Sequence, residues 1–152
     1  MSNPVMFQST TPRFGMPLLF AGQTQKEYHV NEAHALLDGL LHCAIEGVRS
    51  YPPLSPPEGQ SYIVGAGAAG DWAGHDDELA MFQSGTWLYV EPSDGLVVFD
   101  KEAGQLARFD DGWKRSAAVA VPAGGEVTDA EARAAIAGLI IALQEAGILP
   151  AA

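Results

Sequence analysis

The run Leu79-Ala80-Met81-Phe82-Gln83-Ser84-Gly85-Thr86-Trp87-Leu88-Tyr89-Val90-Glu91 decides the fold class. Two stretches rich in apolar and aromatic residues flank a Ser-Gly pair, the pattern of two strands and a tight turn. Further on, Phe109-Asp110-Asp111-Gly112-Trp113 repeats the plan, with an aromatic before a Gly-containing turn and a Trp after it. Rings paired in this way across strands each contribute on the order of 1 kcal/mol or less beyond burial. Between Gln60 and Ala120 the same reading predicts strands at 61–64, 79–82, 87–91, 96–100, 106–109 and 113–116. The expected product is a small antiparallel meander.

Outward from this middle, the signals become helical. Thr24 and Glu27 have the T-x-x-E spacing of a capping box, in which hydroxyl and carboxylate satisfy orphan amides at a helix start. Val30, Ala33, Leu37, Leu40, Leu41 and Ala44 follow as one apolar stripe, and the helix is expected to end near Gly47. Tyr51-Pro52-Pro53-Leu54-Ser55-Pro56-Pro57-Glu58-Gly59 cannot continue a helix or enter the middle of a sheet, so it reads as a stiff connector.

At the other end, residues 121–127 form a hinge around Pro122-Ala123-Gly124-Gly125, and Thr128 with Glu131 gives a second capping box. Ile136, Leu139, Ile140, Leu143 and Ala146 then recur at helical spacing up to Gly147. So short a helix is marginal by itself, so it folds back on the meander or bundles with copies of itself. The breadth of its apolar face favours a bundle of three or more. The expected class is therefore α+β, with an N-terminal arm (1–20), an α+β domain (21–120), the hinge (121–127) and a C-terminal oligomerisation helix (128–149).

Composition narrows function. At 47% apolar and 18% charged residues, the 152-residue chain is expected to fold around a core. Eight Lys and Arg against 19 Asp and Glu give a formal charge of -11, which disfavours nucleic acid and anionic membrane as partners. The single cysteine, Cys43, has no intramolecular partner for a disulfide and reads as a small buried side chain made in a reducing compartment. No run of residues has the length and apolarity of a membrane span.

Four groupings hold candidate chemistry. Gly65-Ala66-Gly67-Ala68-Ala69-Gly70 fits G-x-G-x-x-G, but the following Asp71-Trp72-Ala73-Gly74 does not read as the helix a dinucleotide site requires. It is expected to be a turning or mobile loop, with no cofactor. His34, Asp38 and His42 stand at i, i+4 and i+8, a spacing two metal ligands can use and a polar interfacial stripe uses more often; no metal is expected. His75-Asp76-Asp77-Glu78 puts an imidazole beside three carboxylates without a second catalytic partner, so no catalytic residues are assigned. Of the tryptophans, Trp87 and Trp113 read as core, whereas Trp72 with His75 and Asp76 forms a possible glycan contact.

Several of these motifs, in this order, resemble a domain family of unknown function from phage and prophage structural proteins of alphaproteobacteria, including the head spike base of gene transfer agents. The resemblance rests on Pro17, Gln23 to Glu27, Asn31-Glu32-Ala33 and Leu37-Asp38. Downstream it continues through Pro56-Pro57-x-Gly59, Tyr62-Ile63-Val64, Gly70-x-Trp72-x-Gly74-His75, Gly85-x-Trp87 and Asp111-Gly112-Trp113. It implies a non-enzymatic virion protein on the capsid surface, assembled in the host cytoplasm. Such a base touches the major capsid protein and holds a spike fibre that reaches host capsular polysaccharide. A site at fivefold vertices implies a homopentamer rather than a trimer. On this reading Ile136, Leu139, Ile140 and Leu143 are oligomer-interface candidates. Phe7, Phe14, Leu18 and Leu19, in an arm that orders on a partner or is a frayed terminus, are capsid-contact candidates. The alternative is a polysaccharide-binding module of a spike or tail fibre.

Overall fold

A computed structural model describes residues 10–14, 16, 18–19, 26–124 and 129–150. Among them are two helices, α1 (Lys26–Leu40) and α2 (Ala130–Glu145), and eight strands: β1 (Ala44–Ile45), β2 (Val48–Arg49), β3 (Ser61–Val64), β4 (Leu79–Gln83), β5 (Thr86–Val90), β6 (Val97–Asp100), β7 (Gln105–Phe109) and β8 (Trp113–Arg115). The class is α+β, as the sequence patterns indicate. The six expected strands lie within a residue or so of their expected places, but they do not form one meander. They divide between two mixed four-stranded sheets, ordered β2-β3-β4-β5 and β1-β6-β7-β8.

Each sheet belongs to its own compact unit. The first unit comprises Met1–Cys43 and Val48–Glu91, and the second comprises Ala44–Gly47 and Pro92–Ala152. In the first, β2 pairs parallel to β3, after which β3, β4 and β5 run antiparallel. In the second, β1 pairs parallel to β6, followed by antiparallel β6, β7 and β8. The proline-rich stretch is thus the loop that joins a parallel pair, β2 to β3, rather than a connector between a helical front and a β middle. Parallel neighbours need a long return, and prolines suit a loop with no ladder to make.

The two aromatic hairpins form as the sequence repeat suggests. Phe82 faces Trp87 across the β4–β5 register with ring centroids 5.0 Å apart, and Phe109 faces Trp113 at 5.4 Å. Ser84 and Gly85 both have positive φ (53° and 73°), which a two-residue turn of matching twist requires and Gly supplies without strain.

Helix α1 departs from expectation in length and in face. It ends at Leu40, because Arg13 donates to the carbonyls of Asp38 and Gly39 (both 2.8 Å) and of His42 (3.0 Å). These are the orphan acceptors of a helix end, so a guanidinium from far upstream stops the helix where its own sequence would carry on. His42 then turns through a left-handed conformation (φ 47°), and Ala44 enters β1 instead of extending the stripe. Leu37 and Leu41 are exposed, while Asp38 and Gly39 are buried. A Cβ on Gly39 would meet the sulfur of Met81 at 2.0 Å, so glycine is what lets α1 approach β4.

Candidate functional site

The inward side of α1 holds the N-terminal segment. Asp38 is fully buried, and its carboxylate accepts from Thr11 Oγ1 (2.7 Å), from the amides of Arg13 (3.0 Å) and Phe14 (2.7 Å), and from Gln83 Nε2 (3.3 Å). Gln83 Nε2 also donates to the Ala35 carbonyl (3.0 Å). Two turns earlier, the Asn31 amide matches the backbone of Leu19, accepting from its N–H (2.8 Å) and donating to its carbonyl (3.0 Å). A buried carboxylate is tolerated because donors surround it, and here most of those donors come from the arm. The Asn-Glu-Ala and Leu-Asp motifs therefore each contribute one polar member, Asn31 and Asp38, as the two clasps of the arm.

Between the arm, α1 and the β4–β5 hairpin lies an open groove of about 600 Å³. Leu18, Leu19, Ala35 and Leu88 give it an apolar lining, and Thr10, Ser84 and Thr86 bring hydroxyls to it. Leu18 and Leu19 are thus half-buried against their own unit, whereas Phe14 is exposed and lies 6.2 Å from the His42 ring. Phe7 lies outside the described residues, as does Thr24 of the first capping box.

The His34, Asp38 and His42 spacing does not assemble a metal centre. Asp38 is engaged by the arm, and among the described residues no group of three or more His, Cys, Asp or Glu is placed to hold a metal ion. Cys43 is buried, which pushes its thiol up against the opposing charge of Arg13. It is an inert core residue.

The glycine loop has its own occupant. The amides of Gly67 (2.8 Å) and Ala68 (3.0 Å) donate to the Asp76 carboxylate, which holds that exposed group below the usual carboxylate range. Amides that would cradle a phosphate in a dinucleotide fold thus hold a side chain of the same loop system. A single 3₁₀ turn, Gly70–Trp72, then carries Trp72 inward. Trp72 has no exposed surface; it sits with Tyr62, Val64 and Ala80 and meets Trp87 edge to face at 4.9 Å. The glycan contact through Trp72, His75 and Asp76 is corrected on this point: a fully buried indole cannot lie against a sugar. A short loop flanked by glycines hid the fact that a one-turn helix aims the ring at the core.

His75 stacks flat on Tyr89 (3.6 Å between centroids, 5° between planes), and its Nδ1 lies 3.0 Å from Glu78 Oε2. Tyr89 donates its hydroxyl to the Asp71 carbonyl (2.5 Å). Desolvation, with Asp71 and Glu78 nearby, raises its pKa. The imidazole thus holds a turn together, as a histidine beside a turn commonly does.

In the second unit, Asp100 is buried and caps the following turn through the amides of Glu102 and Ala103 (both 3.0 Å), while Arg115 pairs with its other oxygen (2.5 Å). Helix α2 starts at Asp129, whose carboxylate accepts from the Ala132 amide (2.9 Å). The expected cap, Thr128, lies outside the described residues, and Asp129 does the capping. At the far end the amides of Gly147 and Ile148 return to the carbonyls of Gln144 and Leu143 (both 2.9 Å), the paired bonds that close a helix on a glycine. Of the four interface candidates, Ile140 is buried, and Ile136, Leu139 and Leu143 remain exposed by 40%, 64% and 39%. Leu149 is buried as well, and the Gly147 carbonyl accepts from the Leu106 amide (2.6 Å). Folding back and an open apolar stripe therefore coexist on one helix.

Residues 30–114 match the model of a family described as a protein of unknown function, DUF2793. The chain belongs to the DUF2793 family. The DUF2793 match begins inside α1 and ends inside β8, so it takes in Asn31, Asp38, both sheets and both aromatic hairpins, while α2 lies beyond it. No curated protein matches the chain.

Proposed function

We propose that this DUF2793 protein is a non-enzymatic structural component of a phage-like particle, the base of a head spike on the capsid surface of a gene transfer agent. In that role it associates with copies of itself, with a pentamer favoured over a trimer. It rests on the major capsid protein and anchors the fibre that reaches host capsular polysaccharide. The observation that carries the reading is the exposed stripe Ile136, Leu139 and Leu143 on a helix already seated by Ile140. An apolar stripe left open beside a buried anchor is suited to a neighbouring copy. The motif resemblance supplies the particle. Phe14, exposed at the arm clasp, is the arm residue best placed, among those described, to reach a capsid partner.

The test is the solution mass of the full chain beside an Ile136→Ser/Leu139→Ser/Leu143→Ser variant, which keeps Ile140 in place. A discrete oligomer that falls to monomer in the variant is the expected outcome, with unfolding stability little changed. A wild-type monomer at micromolar concentration would sink the assembly reading. The particle itself is tested by looking for the protein on purified particles from cells that carry the gene.

A further inference from the structure

The outer face of the second sheet is apolar at one end and cationic at the other. Val97 stands opposite Arg108, and Arg108 opposite Lys114, so these three side chains share a face, and the strand period of two adds Leu106 and Ser116 to it. The end of α2 arrives beside them, because the Leu106 amide donates to the Gly147 carbonyl (2.6 Å) and Ile148 follows. With Arg115, these residues line an open pocket of about 320 Å³. Its apolar walls Val97, Leu106 and Ile148 keep 45%, 38% and 42% of their surface exposed. After Ile148 the chain turns back onto α2, where Leu149 is buried and Gln144 donates to the Pro150 carbonyl (3.0 Å).

Three of the chain's eight Lys and Arg meet at this pocket, on a protein of formal charge -11. Arg115 pairs with Asp100, while Arg108 (2.7 Å) and Lys114 (3.2 Å) converge on one oxygen, Asp110 Oδ2. Three cations against two carboxylates leave one positive charge in excess. A guanidinium and an ammonium together also carry more N–H donors than a single oxygen accepts. The side chains of Arg108 and Lys114 are 52% and 56% exposed, and ion pairs so open to water give up little when a second anion joins them. The acidic chain around the pocket repels extended polyanions. A single anionic group on a short apolar body meets both halves of the pocket at once.

We propose that this pocket binds a small amphiphilic carboxylate, its anionic group between Arg108 and Lys114 with the Ser116 hydroxyl as a further donor, and its apolar body along Val97, Leu106 and Ile148. The site lies within the second unit and does not rest on the assembly reading.

The experiment titrates the full-length protein with octanoate in a calorimeter at low ionic strength, and repeats the titration with octanol and with acetate. Octanoate should bind saturably and about tenfold or more tighter than either, since octanol lacks the charge and acetate lacks the apolar body. Added salt should weaken it. Full-length Arg108→Gln/Lys114→Gln, which changes two exposed side chains, should lower the affinity about fivefold or more. Lys101→Gln removes a cation of the same unit that lies outside the pocket and pairs with Glu46, so it should leave the affinity unchanged. No saturable octanoate binding, or octanol binding as tight as octanoate, overturns the site. So does an unmoved double variant, which would put octanoate on another apolar surface, or an equal loss in Lys101→Gln, which would assign the effect to net charge.

Discussion

The two sheets are built on one plan and finished differently. Each adds a two-residue parallel strand to a three-stranded meander, and each carries a Phe–Trp pair at a glycine turn. In the first unit Trp72 drops into the space behind β3 and β4, so Tyr62, Val64 and Ala80 are buried with it and Trp87 and Tyr89 pack alongside. In the second, Val98 and Ala107 are buried on one face, while Val97, Phe99 and Leu106 stay partly exposed on the other, where, among the described residues, only the end of α2 arrives, at the Phe99 ring and the Leu106 amide. The same local pattern thus yields a closed face where a large ring is delivered from outside the sheet, and a partly open apolar face where only a helix end comes over it. The difference teaches that hairpin aromatics set register, whereas the residues that come over the sheet decide whether a face is finished.

That contrast can be broken most sharply at the tryptophans. Trp72→Ala should lower the free energy of unfolding by about 3–5 kcal/mol, the range for a large buried aromatic. Trp113→Ala, half-exposed on β8, should lose about 1 kcal/mol. Trp72→Phe sharpens the point: it keeps the ring and removes an indole N–H that has no acceptor among the described residues, so it should be far milder than the alanine. Equal losses at Trp72 and Trp113 in denaturant titration would mean that the two units are finished alike.

A smaller effect is expected at the arm clasp, a device seen in the first unit. Asp38→Ala leaves the donors of Thr11, Arg13, Phe14 and Gln83 without their shared acceptor, a loss of about 2–3 kcal/mol. Amide exchange at Arg13 and Phe14 should accelerate with it. If those amides stay protected, the arm is held by its apolar contacts and Asp38 is incidental.

The smallest effect belongs to the exposed Asp76 bridge. Its folded pKa lies below the unfolded value, so its contribution is fully present above the ordinary carboxylate pKa and disappears as the pH falls through the lower folded value, below about pH 4. Exchange at Gly67 and Ala68 should quicken over that acid window, and Asp76→Ala should show the fast pattern already at neutral pH. Protection that survives the substitution would assign the loop's order to the Gly65–Arg49 and Ala69–Ser50 backbone bonds instead.

Strands, hairpins and the close of α2 were legible because their causes are local: alternation along β6 and β7, Gly at the turns, Gly147 after the last periodic residue. The end of α1 was not, because Arg13 reaches its carbonyls from 25 to 29 positions away. Strands β1 and β2 were not, since two residues carry no periodicity. Asp38 read as one member of a metal-like spacing, and nothing in the helix sequence shows that an arm with matching donors returns to it. Trp72 was ambiguous for a related reason, because its glycine-rich neighbours fit a surface loop and a one-turn helix equally well.

Taken by itself, the chain determined its class, the place of six strands, both aromatic turns, the inert character of Cys43 and an apolar helix at the end. The tertiary structure decided that one meander would be two sheets, that α1 would turn its small and polar side inward, and that Trp72 would be core. The division follows the range of the forces. Turn chemistry and side-chain period act within a few residues, whereas burial of a carboxylate, the stopping of a helix and the covering of a sheet depend on partners that only the folded chain brings together.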